Sequence, residues 1–360
     1  MDKIEKNKIL LQFKGKKVFI TGHTGFKGTW LTYLLSQLGA EVMGYALEPY
    51  SGPSHFNMLE LEKKIQHVVA DIRDESLLNE KINSFQPEIV FHLAAQPLVK
   101  KAYSDPLTTY STNIMGSVNL LEAVRHCKSV KSLVYITSDK CYENSEWIWG
   151  YRENDRMGGH DPYSASKGAA ELVFSSYERS FFKDRNDFGA ATVRAGNVIG
   201  GGDWAEDRII PDCIRAIENG VPIQIRNPLA TRPWQHVLEP ISGYVLLAIK
   251  ILEDPIEYSG AWNFGPSSFE VRTVLDVANT IINNLAKGSV VITGSENEHH
   301  EAMLLQLNCD KAHQFLKWSP RWGVEETLLV TTNWYKHVLA GKSTEEITKM
   351  QLNNFFNNII

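Results

Sequence analysis

The sequence predicts an α/β fold, a doubly wound parallel sheet with a smaller C-terminal lobe, and three observations carry that prediction. Gly22, Gly25 and Gly28 stand at three-residue spacing between a β-branched run ending at Thr21 and a helix-like stretch, 29–38. Short apolar runs then alternate with helix-length segments as far as about Gly200, the pattern of right-handed βαβ crossovers onto a mostly parallel sheet. Beyond Gly200 the alternation gives way to a turn-rich, charged stretch, GGGDWAEDRIIP, and the later helices follow no strict strand-helix order.

The first unit, VFITGHTGFKG from Val18 to Gly28, has the order of strand, glycine turn and helix needed to hold a dinucleotide pyrophosphate. Gly22 permits the tight turn, Gly25 lets backbone approach the phosphates, and Gly28 lets the helix close on the strand. With Thr24 and Phe26 they form the expected cofactor cradle of a Rossmann-like sheet, the phosphates lying over N–H groups at the helix start. Extended runs follow at 41–47 and 64–70, then a helix at 77–84. The run 89–95 is apolar without alternation, so it is expected to be a buried strand. Further helices are expected at 117–127 and 166–182, with strands at 132–138 and 190–200. In the second part, helices are expected at 209–218, 241–252 and 274–285, an extended piece at 222–225 and a closing helix at 325–339. This divides the chain into an NAD-binding domain, 14–200, and a mainly substrate-binding lobe, 201–345, with some segments returning to the first domain.

Bulk properties exclude several classes. At 360 residues and 43% hydrophobic the chain can bury a sizeable core, yet no apolar run approaches the ~20 residues of a membrane span. The charged start, MDKIEKNKILLQFKGKK, lacks a signal-peptide core, so a cytoplasmic protein is expected. Cys127, Cys141, Cys213 and Cys309 lie far apart with no CxxC pair, which points to neither a disulfide framework nor a metal site. Net charge is -5, with Lys and Arg scattered, so a nucleic-acid surface is not expected.

Candidate site residues cluster at the predicted strand ends. Glu48, twenty residues beyond Gly28, is placed to bond an adenosine ribose and favour NAD over NADP, or else is a solvated surface glutamate. Asp71 and Ile72 follow the third strand, where a carboxylate reaches toward adenine; Asp74 serves equally as a helix cap. Leu93, Ala94, Ala95 and Gln96 give a strand end mostly of small residues, over which a cofactor can run close to backbone.

Ser138, Asp139 and Lys140 combine with Tyr163 and Lys167 in the strongest of these signals. Tyr163 and Lys167 are four apart on one helix face, so the ammonium is expected to lower the phenol pKa toward the working range. Such a tyrosine can take the proton of a sugar hydroxyl while hydride leaves the same carbon, with Ser138 sharing the hydrogen bond. Asp139 and Lys140 would add a second acid–base step, or are loop charges. Asn197, Arg208, Arg226 and Arg232 are the candidates for a sugar-nucleotide diphosphate, since arginine forks match phosphate oxygens. Trp204 and Trp234 are the candidates for stacking on a sugar or base, although packing is the commoner role among nine tryptophans.

The glycine motif, LAAQPLV, YSTNIMG, TSDKCY, YSASK, VRAGNVIGGGDW and RPWQHV together resemble the extended short-chain dehydrogenase/reductase family over roughly residues 14–340. Within it the chain looks most like the bacterial CDP-glucose 4,6-dehydratases. That resemblance implies an internal redox cycle through NAD: oxidation of glucose C4 by Tyr163, Lys167 and Ser138, loss of water across C5 and C6, and return of hydride to C6. It gives Asp139 the general-acid role. Related TDP-glucose enzymes carry Asp-Glu where this chain has Asp139-Lys140, which leaves the identity of the base open. By the same resemblance Asn113 and Asn197 hold substrate or cofactor, and His236 of RPWQHV joins the substrate residues. A homodimer or homotetramer is implied, assembled through helices about 107–127 and 164–182, with a product that feeds dideoxysugar synthesis for surface polysaccharide such as O-antigen. The competing expectations are a nucleotide-sugar 4-epimerase, which needs no loop acid, a dehydratase for another nucleotide, and a nonenzymatic NAD-binding regulator, which would need a broken Tyr163/Lys167 pair.

Overall fold

In the computed structural model, which describes residues 8–50, 52–267, 271–294 and 304–357, seven parallel strands form the central sheet. They are β1 (Lys17–Thr21), β2 (Glu41–Ala46), β3 (Gln66–Val69), β4 (Ile89–His92), β5 (Ser132–Ile136), β6 (Gly189–Arg194) and β7 (Gly260–Asn263). Their order, β7-β6-β5-β4-β1-β2-β3, reverses direction between β1 and β4, the switch point where open α/β sheets bind ligands. Register brings Thr21 level with His92 on one side and Tyr45 on the other, so the ends of these strands form one rim.

Helices cover both faces, as strands apolar on both sides require. On one face α2 (Glu75–Phe85), α4 (Gly116–His126) and α5 (Pro162–Tyr177) enclose a core that includes Phe19, Val90, Leu133 and Phe174. On the other, α1 (Phe26–Gln37) and α7 (Leu238–Glu253) bury Ile20, Leu34, Val134 and Leu247. That second core runs on without a break into α6 (Ile209–Glu218), α8 (Val274–Leu285), α9 (Val324–Leu339) and α10 (Thr344–Phe356). The second half of the chain thus lends the first a covering helix, α7, and a strand, β7. A short helix α3 (Pro106–Tyr110) runs through a π-helical turn, Ser111–Met115, into α4.

The parallel sheet flanked by helices and the smaller C-terminal lobe are as the sequence predicts. Several boundaries differ, for local reasons. The strand expected to reach Ala95 stops at His92, because the Leu93 and Ala94 N–H groups turn onto the Thr21 hydroxyl. The helix expected from Ser166 starts at Pro162, its N-terminus capped by the Asp161 carboxylate on the Ser164 N–H. The strand expected over 190–200 breaks after Arg194; Asn197 adopts φ +51°, and Val198–Ile199 pairs instead with Gln235–His236. α9 does not close the chain: α10 follows and packs on it.

Candidate active site

A cleft of about 1140 Å³ runs along the carboxyl ends of the strands, bounded by the glycine turn, the loops after β4 and β5, the start of α5 and the segment 195–234. Its geometry starts at the glycines. Gly22 has φ +73°, and a Cβ there would meet the Ala94 nitrogen at 2.7 Å, so only glycine fits the turn. A Cβ on Gly28 would stand 2.1 Å from the Gly22 carbonyl oxygen, which fixes how closely α1 packs on β1. Gly25 is exposed to the cleft and caps α1 with no side-chain hydrogen bond, leaving helix-start N–H groups for an anion. Thr24 and Phe26 line the cleft here, and Thr24 is held by its hydroxyl on the Leu47 carbonyl.

The loop after β4 is fixed by a directional hydrogen-bond chain. Thr21 Oγ1 accepts the Leu93 and Ala94 N–H groups at 3.1 and 3.2 Å, so its own proton goes to His92 Nδ1 at 2.7 Å. His92 must then carry its hydrogen on Nε2, which donates to Ser117 Oγ at 3.0 Å, and Ser117 donates to the Asn113 carbonyl at 2.8 Å. Burial holds the His92 imidazole neutral, its pKa lowered to about 3. Asn113, on the π-helical turn, is 2% exposed and does not line the cleft. Its amide instead clamps the Gln96 backbone at both N–H (2.8 Å) and C=O (3.1 Å) and donates to Ser166 on α5 (2.9 Å). The direct contact expected of Asn113 is therefore corrected to an indirect one, through the Leu93–Gln96 loop it shapes.

At the far end of the cleft lie Asp71, Ile72 and Glu48. Asp71 is engaged by the Arg73 guanidinium at 2.6 and 3.0 Å, which holds its carboxyl below the usual carboxylate range. Asp74 caps α2 through the Leu77 N–H. Glu48 is exposed on the cleft wall two residues beyond the end of β2.

Ser138, Asp139, Lys140, Tyr163 and Lys167 converge at the middle of the cleft. β5 ends at Ile136, and Asp139–Cys141 forms a single 3₁₀ turn that points back across α5. Ser138 Oγ bonds Asp139 Oδ1 at 2.9 Å, accepts the Lys140 N–H at 3.2 Å and hydrogen-bonds the Tyr163 phenol. The Asp139 carboxylate rests against Gly196: a Cβ there would be 1.8 Å from Oδ2. Burial dominates the Tyr163 phenol and pushes it up to about 12, with the Ser138 hydrogen bond pulling the other way. The lowering expected from Lys167 is not seen; the cation that favours the phenolate here is Arg208, and burial outweighs it. Lys167 is itself brought down to about 8 by burial, opposed by the nearby Glu171 carboxylate.

The second half of the chain supplies the other wall with Asn197, Arg208, Arg226 and Arg232. Arg208 is held by Asp203 at 2.9 Å, which with its other neighbours raises the guanidinium pKa despite burial. The Asn197 Nδ2 and Trp234 Nε1 donors are buried in this wall without a hydrogen-bond partner among the described residues, which leaves both open to a polar ligand. His236 is not among these residues. It is fully buried between the rings of Trp30 and Trp322, at 6.0 and 4.9 Å, and burial lowers it to about 3, so the substrate contact expected of it is corrected to a packing role. Trp204 likewise packs on Tyr335, leaving Trp234 as the indole in the cleft. One residue of the centre escaped the sequence reading. Lys27, inside the glycine motif, projects toward Asp139, and burial brings its ammonium down to about 8 while Asp139 opposes the shift.

A glycine cradle at a sheet switch point, joined to a serine, a tyrosine and a lysine at one strand end, defines a nucleotide-binding α/β enzyme of the extended short-chain dehydrogenase/reductase class. The chain matches the family model described as GDP-mannose 4,6 dehydratase over residues 19–330, and it belongs to that family. A CDP-glucose 4,6-dehydratase of Salmonella typhimurium is 48% identical over 347 residues, covering 95% of this chain and 97% of that protein. Among solved structures, an epimerase of Methanothermobacter thermautotrophicus superposes with a TM-score of 0.81 at 23% identity, covering 96% and 97% of the two chains. The dTDP-glucose 4,6-dehydratase of Streptomyces venezuelae, solved with NAD and TYD bound, gives 0.77 at 20% identity, covering 91% and 98%. At such identities these two establish the fold alone.

Proposed function

We propose that the chain is a CDP-glucose 4,6-dehydratase, converting CDP-D-glucose to CDP-4-dehydro-6-deoxy-D-glucose and water with NAD bound throughout. One observation carries the reading: the chain is 48% identical, over nearly its whole length, to a protein named for that activity. The joining of Ser138, Asp139, Lys140, Tyr163 and Lys167 in one cleft supplies the groups the reaction needs. The Gly22–Gly28 turn and the open start of α1 fit a dinucleotide pyrophosphate, with Asp71, Ile72 and the Leu93–Gln96 loop along the rest of the cofactor. When bound, NAD supplies the hydride acceptor and donor.

The residues of this chain do the rest. Tyr163, with Lys167 one turn along the same helix, is assigned to take the proton of the sugar C4 hydroxyl, and its hydrogen bond with Ser138 and the Arg208 charge favour the phenolate against burial. A C4 ketone acidifies the C5 proton. Asp139, 2% exposed and bonded to Ser138, then protonates the departing C6 hydroxyl, while Lys140 takes the C5 proton or stabilises the enolate charge. Asn197, at the end of the first domain, and Trp234, Arg208, Arg226 and Arg232 of the second lobe hold the sugar nucleotide, with the rest of residues 14–200 carrying the cofactor.

Assembly is part of the same reading. Leu107 (82% exposed), Met115 and Leu172 (63%) lie on α3, the π-helical turn and α5, which pack together and turn apolar side chains outward, as a dimer of helix pairs requires. The four cysteines are buried and free, which suits a reducing compartment such as the cytoplasm. Among the described residues no helix is long and apolar enough to cross a membrane. Incubation with CDP-, UDP-, TDP- and GDP-glucose, followed by mass analysis, tests the reading: loss of one water is expected, with CDP-glucose preferred, and equal or better turnover of another nucleotide would reassign the substrate.

A further inference from the structure

The helix face that carries Tyr163 and Lys167 continues one turn further to Glu171, which is 5% exposed. Glu171 meets Arg194, 2% exposed at the end of β6, in a two-armed pair: Nε to Oε1 at 2.8 Å and Nη2 to Oε2 at 2.9 Å. Each partner reaches a second segment of the site. The Thr137 hydroxyl, one residue before Ser138, donates to Glu171 Oε1. Arg194 Nη1 donates to the Tyr142 hydroxyl at 2.6 Å, just past the Asp139–Cys141 turn, and to the Glu153 carbonyl at 2.8 Å. Tyr142 is in turn fixed on Asn263 of β7 at 2.8 Å. Arg194 also lies three residues before Asn197, whose left-handed backbone turns the chain into the cleft wall.

We infer that the Glu171–Arg194 pair is a positioning device for the reaction, holding the helix of Tyr163 and Lys167 in register with the turn of Ser138, Asp139 and Lys140. It rests on the reading of those five residues as the reacting groups. A simple packing role explains the pair less well. Its four-point attachment spans α5, both flanks of the 137–142 segment and β6, the elements whose relative placement sets the Tyr163–Ser138 contact. The two charges are costly to bury, and a fork of this geometry satisfies them while allowing little sliding of the helix.

The pair has a second, electrostatic consequence. The charged and titratable groups facing Lys167 are Glu171 on its own helix, Cys141 on the turn, His92 at the end of β4 and Lys27 on α1. Of these Glu171 is the carboxylate, and it opposes the burial that lowers Lys167. Without it, Lys167 loses its proton at lower pH and the alkaline limb of the rate profile moves down.

The test compares Glu171→Gln, Arg194→Lys and the double variant Glu171→Met/Arg194→Met, which removes both charges and leaves neither orphaned. Melting curves, substrate dissociation constants and the pH dependence of kcat are measured on each NAD-loaded protein. The expected result for the double variant is a retained cooperative melt, unchanged CDP-glucose affinity and a kcat lower by about 10- to 100-fold, the scale of a misplaced reacting group. Glu171→Gln should shift the alkaline limb to lower pH, whereas Arg194→Lys, keeping the carboxylate, should lose rate without that shift. A folded double variant with wild-type kcat, or a loss confined to KM, overturns the proposal. Where the double variant does not fold, Glu171→Gln with an unmoved limb and normal kcat overturns it equally. Wild-type protein inactive on CDP-glucose would refute the functional reading instead, which keeps the two failures apart.

Discussion

Acid should dismantle this protein through its buried histidines, and the size of the effect can be worked out. His23, His55, His92 and His236 are all buried, and burial lowers each from 6.5 to about 3. Below pH 6.5 the unfolded chain binds protons at these rings and the folded chain does not, so stability falls as pH drops toward 3. At about pH 5 each ring costs roughly 2 kcal/mol, about 8 kcal/mol for the four, against a typical total of about 5–15 kcal/mol. Asp71, lowered below its ordinary value of 3.8, adds its own loss only at still lower pH. His92 carries the sharpest consequence, since protonation at Nδ1 removes the acceptor for Thr21 and with it the support of the Leu93–Gln96 loop. Urea unfolding at a series of pH values between neutrality and about pH 5 reads the effect, and His92→Gln should flatten the slope by about a quarter. A midpoint that does not move across that range would refute the reasoning.

Three further outcomes follow from the site and its surroundings. Tyr163→Phe should abolish oxidation at C4, so that bound NAD stays oxidised with CDP-glucose, while Asp139→Asn should still oxidise C4 yet slow release of 6-deoxy product by ~100–10,000-fold; rapid-quench sugar analysis with cofactor absorbance separates them, and equal loss of both steps in both variants would show the roles wrongly divided. Arg232→Ala should weaken CDP-glucose binding by ~1.5–3 kcal/mol, as loss of a charged hydrogen bond does, and unchanged affinity by calorimetry would remove Arg232 from the diphosphate. Leu107→Glu with Leu172→Glu should convert the proposed dimer to monomer in sedimentation, and an unchanged assembly would place the interface elsewhere.

Features of the sequence that are local in space were legible in it. The glycine turn, the Tyr163–Lys167 spacing and the helices Ile209–Glu218 and Val274–Leu285 depend on contiguous residues, and the last two match their expected bounds. Long-range arrangements were not legible. β7 lies beside β6 only because α7 returns the chain to the sheet, and nothing within Gly260–Asn263 announces that pairing. His236 looks like a site residue from its motif, yet its burial depends on Trp30 and Trp322, which lie far from it along the chain in opposite directions. Tyr163 shows how burial can reverse an inference drawn from charge spacing, since desolvation raises the phenol and the cation that opposes it is Arg208 rather than Lys167 four residues on. Lys27 had a signal, a cation inside a phosphate-binding turn, but its nearness to Asp139 arises only where the loop after β5 and the glycine turn line the same cleft.

The central claim is that one bound cofactor first takes hydrogen from C4 and then delivers it to C6 of the same sugar. CDP-glucose carrying deuterium at C4, incubated with catalytic amounts of NAD-loaded protein, tests it most directly. Mass and NMR analysis should find the product lighter by one water, with the deuterium in its C6 methyl group and no net reduction of NAD. Deuterium retained at C4 in a product of unchanged mass would mean epimerisation, and reduced cofactor accumulating with each turnover would mean simple oxidation; either result contradicts the account.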